Sequence, residues 1–255
     1  MTAAALRIVS LDAGLTEILF ALGLERRVVG VSEESDFPIR ARAKERVGPG
    51  ASPDAGKILA LRPTLVLALL PAQEQAAGRL SGEGLPVKTV APATLEDLCN
   101  AVMDIGSWTE READAYRIVT AIRSPLQRMQ QARASKPRMR VYVEENSTPP
   151  RAAGLWTADL MKACNAEAMT ASGDLPRPAE LEAMRRFDPD VLVFLRPEGR
   201  EYEAPNPALR KGWEGLRACA SGRLRYLPEE IFMRPGPRLV EGARRVARLI
   251  DELSG

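Results

Sequence analysis

Apolar residues along this chain gather into short unbroken runs, each preceded by a stretch in which apolar positions recur every three or four residues. Arg7–Leu11, Val28–Ser32, Leu65–Leu70 and Val87–Val90 are such runs in the first half. They carry the mark of strands buried on both faces of a parallel sheet. Between them, helical spacing predicts helices over about Leu15–Leu22, ended by Gly23, and over about Gln73–Leu80, with a polar loop over Glu33–Pro38. The second half repeats the alternation. It offers a strand at Arg140–Glu144, a Pro-rich loop over Asn146–Arg151, a helix over about Thr157–Cys164, a helix capped by Asn206-Pro207, a strand at Leu224–Leu227, and a final helix to Leu253 entered through RPGPRL (234–239). Strand–helix–strand alternation predicts parallel sheets with right-handed crossovers.

Two stretches are built alike. Ser52-Pro53 through Leu70 and Arg177-Pro178 through Arg196 each begin on a proline at a plausible first helical position. An amphipathic run follows, then a second proline, then a bare apolar strand: LRPTLVLALLP in one, FDPDVLVFLRP in the other. A proline-started helix feeding a buried parallel strand gives this pattern, with Ser52 as the N-cap of the first copy. Its presence in both halves predicts two α/β lobes on one plan with a cleft between them.

Between the halves, Thr94 is placed to cap a helix through about Ile105. Thr109 and Glu112, three apart, form a capping box that starts a helix of some 25 residues to about Ala134. Pro125 should kink or split it. The expected organisation is an N-terminal lobe over 1–106, a connecting spine helix over 107–136, and a C-terminal lobe over 137–255.

Composition narrows the chemistry. Of 255 residues, 45% are apolar and 27% charged, which suits a globular protein. Lys+Arg number 36 against 34 Asp+Glu, a balance that argues against a nucleic-acid binder. There is no histidine, so no Ser-His or Cys-His pair and no His-bound zinc can be assembled. Cys99, Cys164 and Cys219 sit far apart in apolar helical contexts and read as small core residues. The start MTAAALRIVSL lacks the pattern of a secretory signal. The expected location is therefore the cytoplasm if Met1 is the native start, and the periplasm or exterior if a signal has been removed.

Ligands in open α/β sheets sit beyond the carboxyl ends of the strands. Those ends supply Asp12, Glu33, Asp36, Phe37 and Gln73 in the first half, and Glu145, Asn146, Arg151, Trp156, Arg196, Phe232 and Arg234 in the second. Convergent polar groups with a few aromatic faces suit a medium-sized ligand. Trp156 reads equally as a core anchor.

RIVSLDAGLTEILFALGLERRVVGVSEESDFP (7–38) and ILALRPTLVLA (58–68) resemble the helical-backbone class of ABC-importer substrate-binding proteins. VEENSTPPRAAGLW (143–156) and RPGPRLVEG (234–242) look like its vitamin B12-binding subgroup. The resemblance covers nearly the whole chain. It implies an α/β fold of two Rossmann-like lobes with parallel-rich sheets joined by a long helix. It also implies a non-catalytic protein, a monomer with no intrinsic cofactor or metal, holding a corrinoid (cobalamin or cobinamide) in the inter-lobe cleft. A ferric siderophore or haem is the alternative ligand. Importer docking in the family uses one surface glutamate on each lobe. The matching positions here are Glu182 and Gly56, with Asp54 near the latter. Gly56 in place of a carboxylate argues against a permease partner and leaves room for a family member without one.

A small-molecule enzyme is the reading from another class. Glu144 and Glu145, adjacent on a strand, point to opposite faces and cannot act as an acid–base pair. Glu33, Glu34 and Asp36 could hold a hard cation or simply face solvent. No GxGxxG, P-loop or GxSxG motif is present.

Overall fold

The computed structural model describes residues 6–198, 207 and 210–254. Its chain divides into two compact units. The first takes in the chain up to Pro92 together with Glu96–Ala121 and Pro235–Pro237; the second takes Ala93–Leu95, Ile122–Arg234 and the chain from Arg238 onward.

The first unit has strands β1 (Ile8–Ser10), β2 (Val28–Val31), β3 (Glu45–Arg46), β4 (Leu65–Leu69) and β5 (Val87–Val90) in the spatial order β3-β2-β1-β4-β5. Every pairing is parallel, as the bare apolar runs require. Val9, Leu11, Ile58, Val66 and Leu80 form its core, each such side chain contributing roughly 1.5–3 kcal/mol of burial. Helix α1 (Ala13–Ala21) starts two residues earlier than its apolar spacing suggests. Asp12 caps it, accepting the Leu15 amide at 3.0 Å. It stops where expected: Gly23 turns left-handed at φ +74, and the Leu24 amide reaches back to Leu19 O at 3.0 Å.

The two similar stretches diverge at their prolines. In the first, α2 (Ala55–Ala60) is capped by Asp54, whose carboxylate accepts the Lys57 amide at 3.0 Å. Ser52 is therefore not the cap, and Pro53 precedes the helix. In the second, Arg177–Pro178 forms an edge strand, and its helix begins only at Leu181 with Glu180 at the N-cap. A proline without an amide is tolerated on an edge, and Pro178 lies there opposite Arg151.

Helices α3 (Glu74–Gly82), α4 (Leu95–Trp108) and α5 (Glu112–Arg133) complete the middle of the chain. The expected capping box does not form. Thr109 donates its hydroxyl to Ile105 O at 2.7 Å, closing α4 instead of opening α5, and Glu110 makes the turn at φ 58. This shortens α5 to 22 residues, and it runs through Pro125 as one helix. Its residues to Ala121 cluster with the first unit and those from Ile122 with the second.

The second unit is built on β6 (Met139–Ser147), which is longer than the expected strand. The stretch read as a Pro-rich loop is the tip of a hairpin: β6 turns back into β7 (Pro150–Ala152), and β7 pairs with β9 (Arg177–Pro178). Short β8 (Ala166–Ala168) takes the lower part of the same β6 edge in parallel. On the other edge come β10 (Val191–Arg196) and β11 (Leu224–Pro228), both parallel. Tyr142, Met184, Leu192, Phe194 and Trp213 form the core. Around them pack α6 (Thr157–Ala163), α7 (Leu181–Phe187), α8 (Arg217–Ala220), α9 (Glu230–Met233) and α10 (Leu239–Ser254). The cap assigned to Asn206 falls outside the described residues. Cys99 and Cys164 are buried and Cys219 half-buried, each a thiol outside any disulfide; burial pushes the Cys164 thiol up to about 12, which leaves it inert. No helix among the described residues is long and apolar enough to cross a membrane.

Candidate functional site

In the first unit, strand order reverses direction between β1 and β4, the position where open α/β sheets bind ligands. Here that crevice is filled from within. Gln73 is 5% exposed; it donates to Leu11 O at 2.7 Å and accepts the Leu69 amide at 2.8 Å, tying the ends of the two strands together. Gly50 presses against the same bridge: a Cβ there would lie 2.2 Å from Leu11 O. Gln73, expected at the ligand, is thus committed to the scaffold. Asp12 is half-buried and committed to the α1 cap.

The loop after β2 is held by a buried chain of hydroxyls. Thr16 donates to Ser10 Oγ or Asp12 O, both at 2.9 Å, and shares a 2.9 Å hydrogen bond with Ser35, which meets Ser32 at 3.1 Å. All four side chains are fully buried. From the other side Arg46 donates to Ser32 O and Ser35 O, each at 2.8 Å. The loop so fixed carries Glu33, which is exposed, Asp36, which is half-buried, and Phe37, which is 43% exposed. Glu34 accepts the Gly50 amide at 3.2 Å. No three or more His, Cys, Asp or Glu side chains come together as a metal-binding group among the described residues.

In the second unit the two adjacent glutamates of β6 have different surroundings. Glu144 is 1% exposed and fully partnered by Arg210, Tyr142 Oη at 2.9 Å and Ser147 Oγ at 2.6 Å. The Arg210 guanidinium stacks over Trp213 at 4.7 Å. Burial, then the adjacent Glu144 carboxylate, raises the Tyr142 phenol well above its ordinary range. Sequence reasoning missed this cluster because Arg210 is 66 residues from Glu144.

Glu145 occupies a β-bulge. Glu144 pairs with Ala152 and Asn146 with Arg151, leaving Glu145 between. Its Oε1 lies 3.9 Å from Arg151 Nε, and its buried Oε2 meets no hydrogen-bond donor. Burial pushes the Glu145 carboxyl up to about 7, with the Arg151 charge opposing. Asn146 is exposed at the hairpin tip, where its Oδ1 accepts the Thr148 amide at 3.2 Å. Arg151 also donates to Pro176 O.

Trp156 and Phe232 are not exposed walls. Trp156 is 2% and Phe232 1% exposed, and the indole donates to Phe232 O at 2.7 Å. A buried indole needs an acceptor, and the end of α9 provides it. Arg196 is exposed and lies over the Tyr226 ring at 5.4 Å; Arg234 is half-buried just after α9. Glu182 and Gly56 are both exposed in the first turns of α7 and α2. A groove of about 550 Å³ lined by Met169, Pro178, Ala183 and Phe187 runs beside α7.

Comparison with known proteins gives a consistent picture over nearly the full length. The chain is 27% identical over 256 residues to an ABC transporter substrate-binding lipoprotein of Bacillus subtilis, covering 96% of this chain and 79% of that protein. It is 26% identical over 247 residues to the vitamin B12-binding protein of Vibrio cholerae, covering 94% and 87%. A periplasmic haem-binding protein of Pseudomonas aeruginosa has a similar structure, with TM-score 0.74, 26% identity and coverage of 94% and 91%. The model of the periplasmic binding protein family matches residues 8–231. The chain belongs to the periplasmic binding protein family.

Proposed function

We propose that the protein binds a corrinoid of the vitamin B12 type without catalysis, as the substrate-binding component of an ABC importer does. The ligand is taken by the carboxyl-end loops, with Glu33, Asp36 and Phe37 from the first unit and Glu145, Arg151 and Arg196 from the second. The observation that carries the reading is the similarity to the V. cholerae vitamin B12-binding protein over 94% of the chain. The chemistry of the loops agrees with it. An exposed phenyl ring and charges of both signs suit a broad macrocycle edged by neutral amides better than a polyanion.

Haem is the second reading, favoured by the 26% identity to the P. aeruginosa haem-binding protein. The chain has no histidine to offer the iron. Calorimetric or spectrophotometric titration with cobalamin, cobinamide, haem and a ferric siderophore tests both. Micromolar or tighter binding of a corrinoid, with haem weaker, is expected; tighter binding of haem replaces the first reading with the second, and turnover of any probe overturns both. Of the two docking positions Glu182 is an exposed carboxylate and Gly56 is none, so an importer partner would rest on Glu182 alone. Loss of permease coupling on Glu182→Ala, with ligand affinity unchanged, would support it.

A further inference from the structure

We propose that Glu145 recognises the ligand as a neutral acid, donating a hydrogen bond to a carbonyl or amide oxygen of the bound molecule. The inference rests on the ligand-binding function proposed above and names the chemistry it selects.

The geometry is that of a group built for a missing partner. A β-bulge adds a residue to one strand and re-aims its side chain, and Glu145 is that residue in β6. Its side chain is 13% exposed, so an edge of it remains within reach from outside. Its Oε2 is closed off from water and faces no donor. Buried polar atoms in folded proteins are almost always satisfied, and an exception calls for an explanation, a role at a binding or catalytic site among them. Arg151 does not resolve it: the guanidinium stays 3.9 Å from Oε1 and gives a hydrogen bond to Pro176 O.

The charged surroundings favour the acid form. Arg151, on β7, is the charged group that acts on Glu145. On β6 itself, Glu144 is neutralised by Arg210, and Tyr142, which donates to Glu144, is the other titratable group coupled to Glu145. Burial outweighs the pull of Arg151, and the carboxyl titrates at about 7. A protonated carboxyl has one donor and keeps an acceptor. The soft terminal torsion of the side chain exchanges the two oxygens, so the proton can be presented at the exposed edge. A ligand rich in amide or carbonyl oxygens satisfies it, and binding then raises its proton affinity further. A ligand offering only donors or cations leaves it unmatched.

The test is the affinity for cobinamide and cobalamin measured from about pH 5 to about pH 9, in the unaltered protein and in Glu145→Gln. Glutamine keeps the shape and a donor but cannot ionise. The unaltered protein should bind with constant affinity at low pH, then lose it by up to about tenfold per unit above neutrality. Glu145→Gln should bind at a level that no longer declines. A flat profile in the unaltered protein, or the same decline in Glu145→Gln, overturns this inference and leaves corrinoid binding standing. No binding of either probe at any pH overturns the proposed function and the inference with it. In the ligand-free protein, NMR of isotope-labelled glutamate carboxyl groups should show one titrating near neutrality that vanishes in Glu145→Gln; its absence also overturns the inference.

Discussion

Arg210 closes a two-pronged ion pair on Glu144, with Nη1 2.5 Å from Oε2 and Nη2 2.9 Å from Oε1. The carboxylate is 1% and the guanidinium side chain 16% exposed, and both Tyr142 and Ser147 add hydrogen bonds to the same carboxylate. Removing one member strands a buried charge, which costs about 3–5 kcal/mol. Chemical denaturation of Glu144→Ala and Arg210→Ala should each show a loss of this size. The double variant should lose clearly less than the two together. Additive losses would mean the pair does not act as a unit.

The hydroxyl of Thr16 has partners on β1, on its own helix and on the loop after β2. Thr16→Val fills the same space but leaves the Ser10 and Ser35 hydroxyls short of a partner, at a cost of about 1–3 kcal/mol. Thr16→Ser should recover most of the loss. Urea midpoints of the two variants check the contrast, and equal midpoints would assign the effect to packing alone.

Two glycines should respond to alanine with opposite signs. At Gly50 a methyl group would meet Leu11 O at 2.2 Å and Gln73 Nε2 at 2.6 Å, so Gly50→Ala should destabilise by about 1–3 kcal/mol. At Gly78, exposed within α3, nothing lies within 4 Å of the added carbon. Gly78→Ala should stabilise by roughly 0.5–1 kcal/mol through helix propensity. Thermal midpoints of the pair give the answer.

Glu145 makes stability depend on pH in the direction opposite to most carboxylates. Its ordinary value of 4.5 is pushed to about 7 in the folded protein. Between those two values the folded chain holds a proton that the unfolded chain has released, so stability falls as pH rises through that window and levels off above about 7. At about 1.4 kcal/mol per unit, the full effect is on the order of 3 kcal/mol. Stability curves of the unaltered protein and Glu145→Gln should therefore separate between those pH values. Parallel curves would show that the carboxyl is ordinary.

Strand positions were legible because a strand buried on both faces is a bare apolar run: Leu65–Leu69 and Val191–Arg196 appear in the structure almost as read. Helix starts were less so. Ser52, Asp54 and Thr109 are all good capping types, and local pattern cannot say which hydroxyl or carboxylate turns toward which amide. Thr109 spends its hydroxyl on the helix behind it. The β6–β7 hairpin hid behind Pro149 and Pro150 because proline usually marks a loop, whereas the first residue of a strand accepts it. At the candidate site, chain position identified the strand ends but not side-chain commitments. Gln73 and Trp156 look like ligand groups in the sequence, and only tertiary contacts reveal that their polar atoms are already engaged. Glu144–Arg210 was invisible for the same reason.

The return of Pro235–Pro237 to the first unit has a consequence for how the protein is made. A Cβ on Gly14 would lie 2.6 Å from Pro235 Cδ, so the N-terminal turn of α1 is finished against residues made more than 200 positions later. During synthesis the first unit stays incomplete on the ribosome until Pro235–Pro237 has emerged. Long-range closures of this kind slow folding and leave apolar surface waiting. Splitting the gene at the natural midpoint would give an N-terminal fragment that never receives its closing segment.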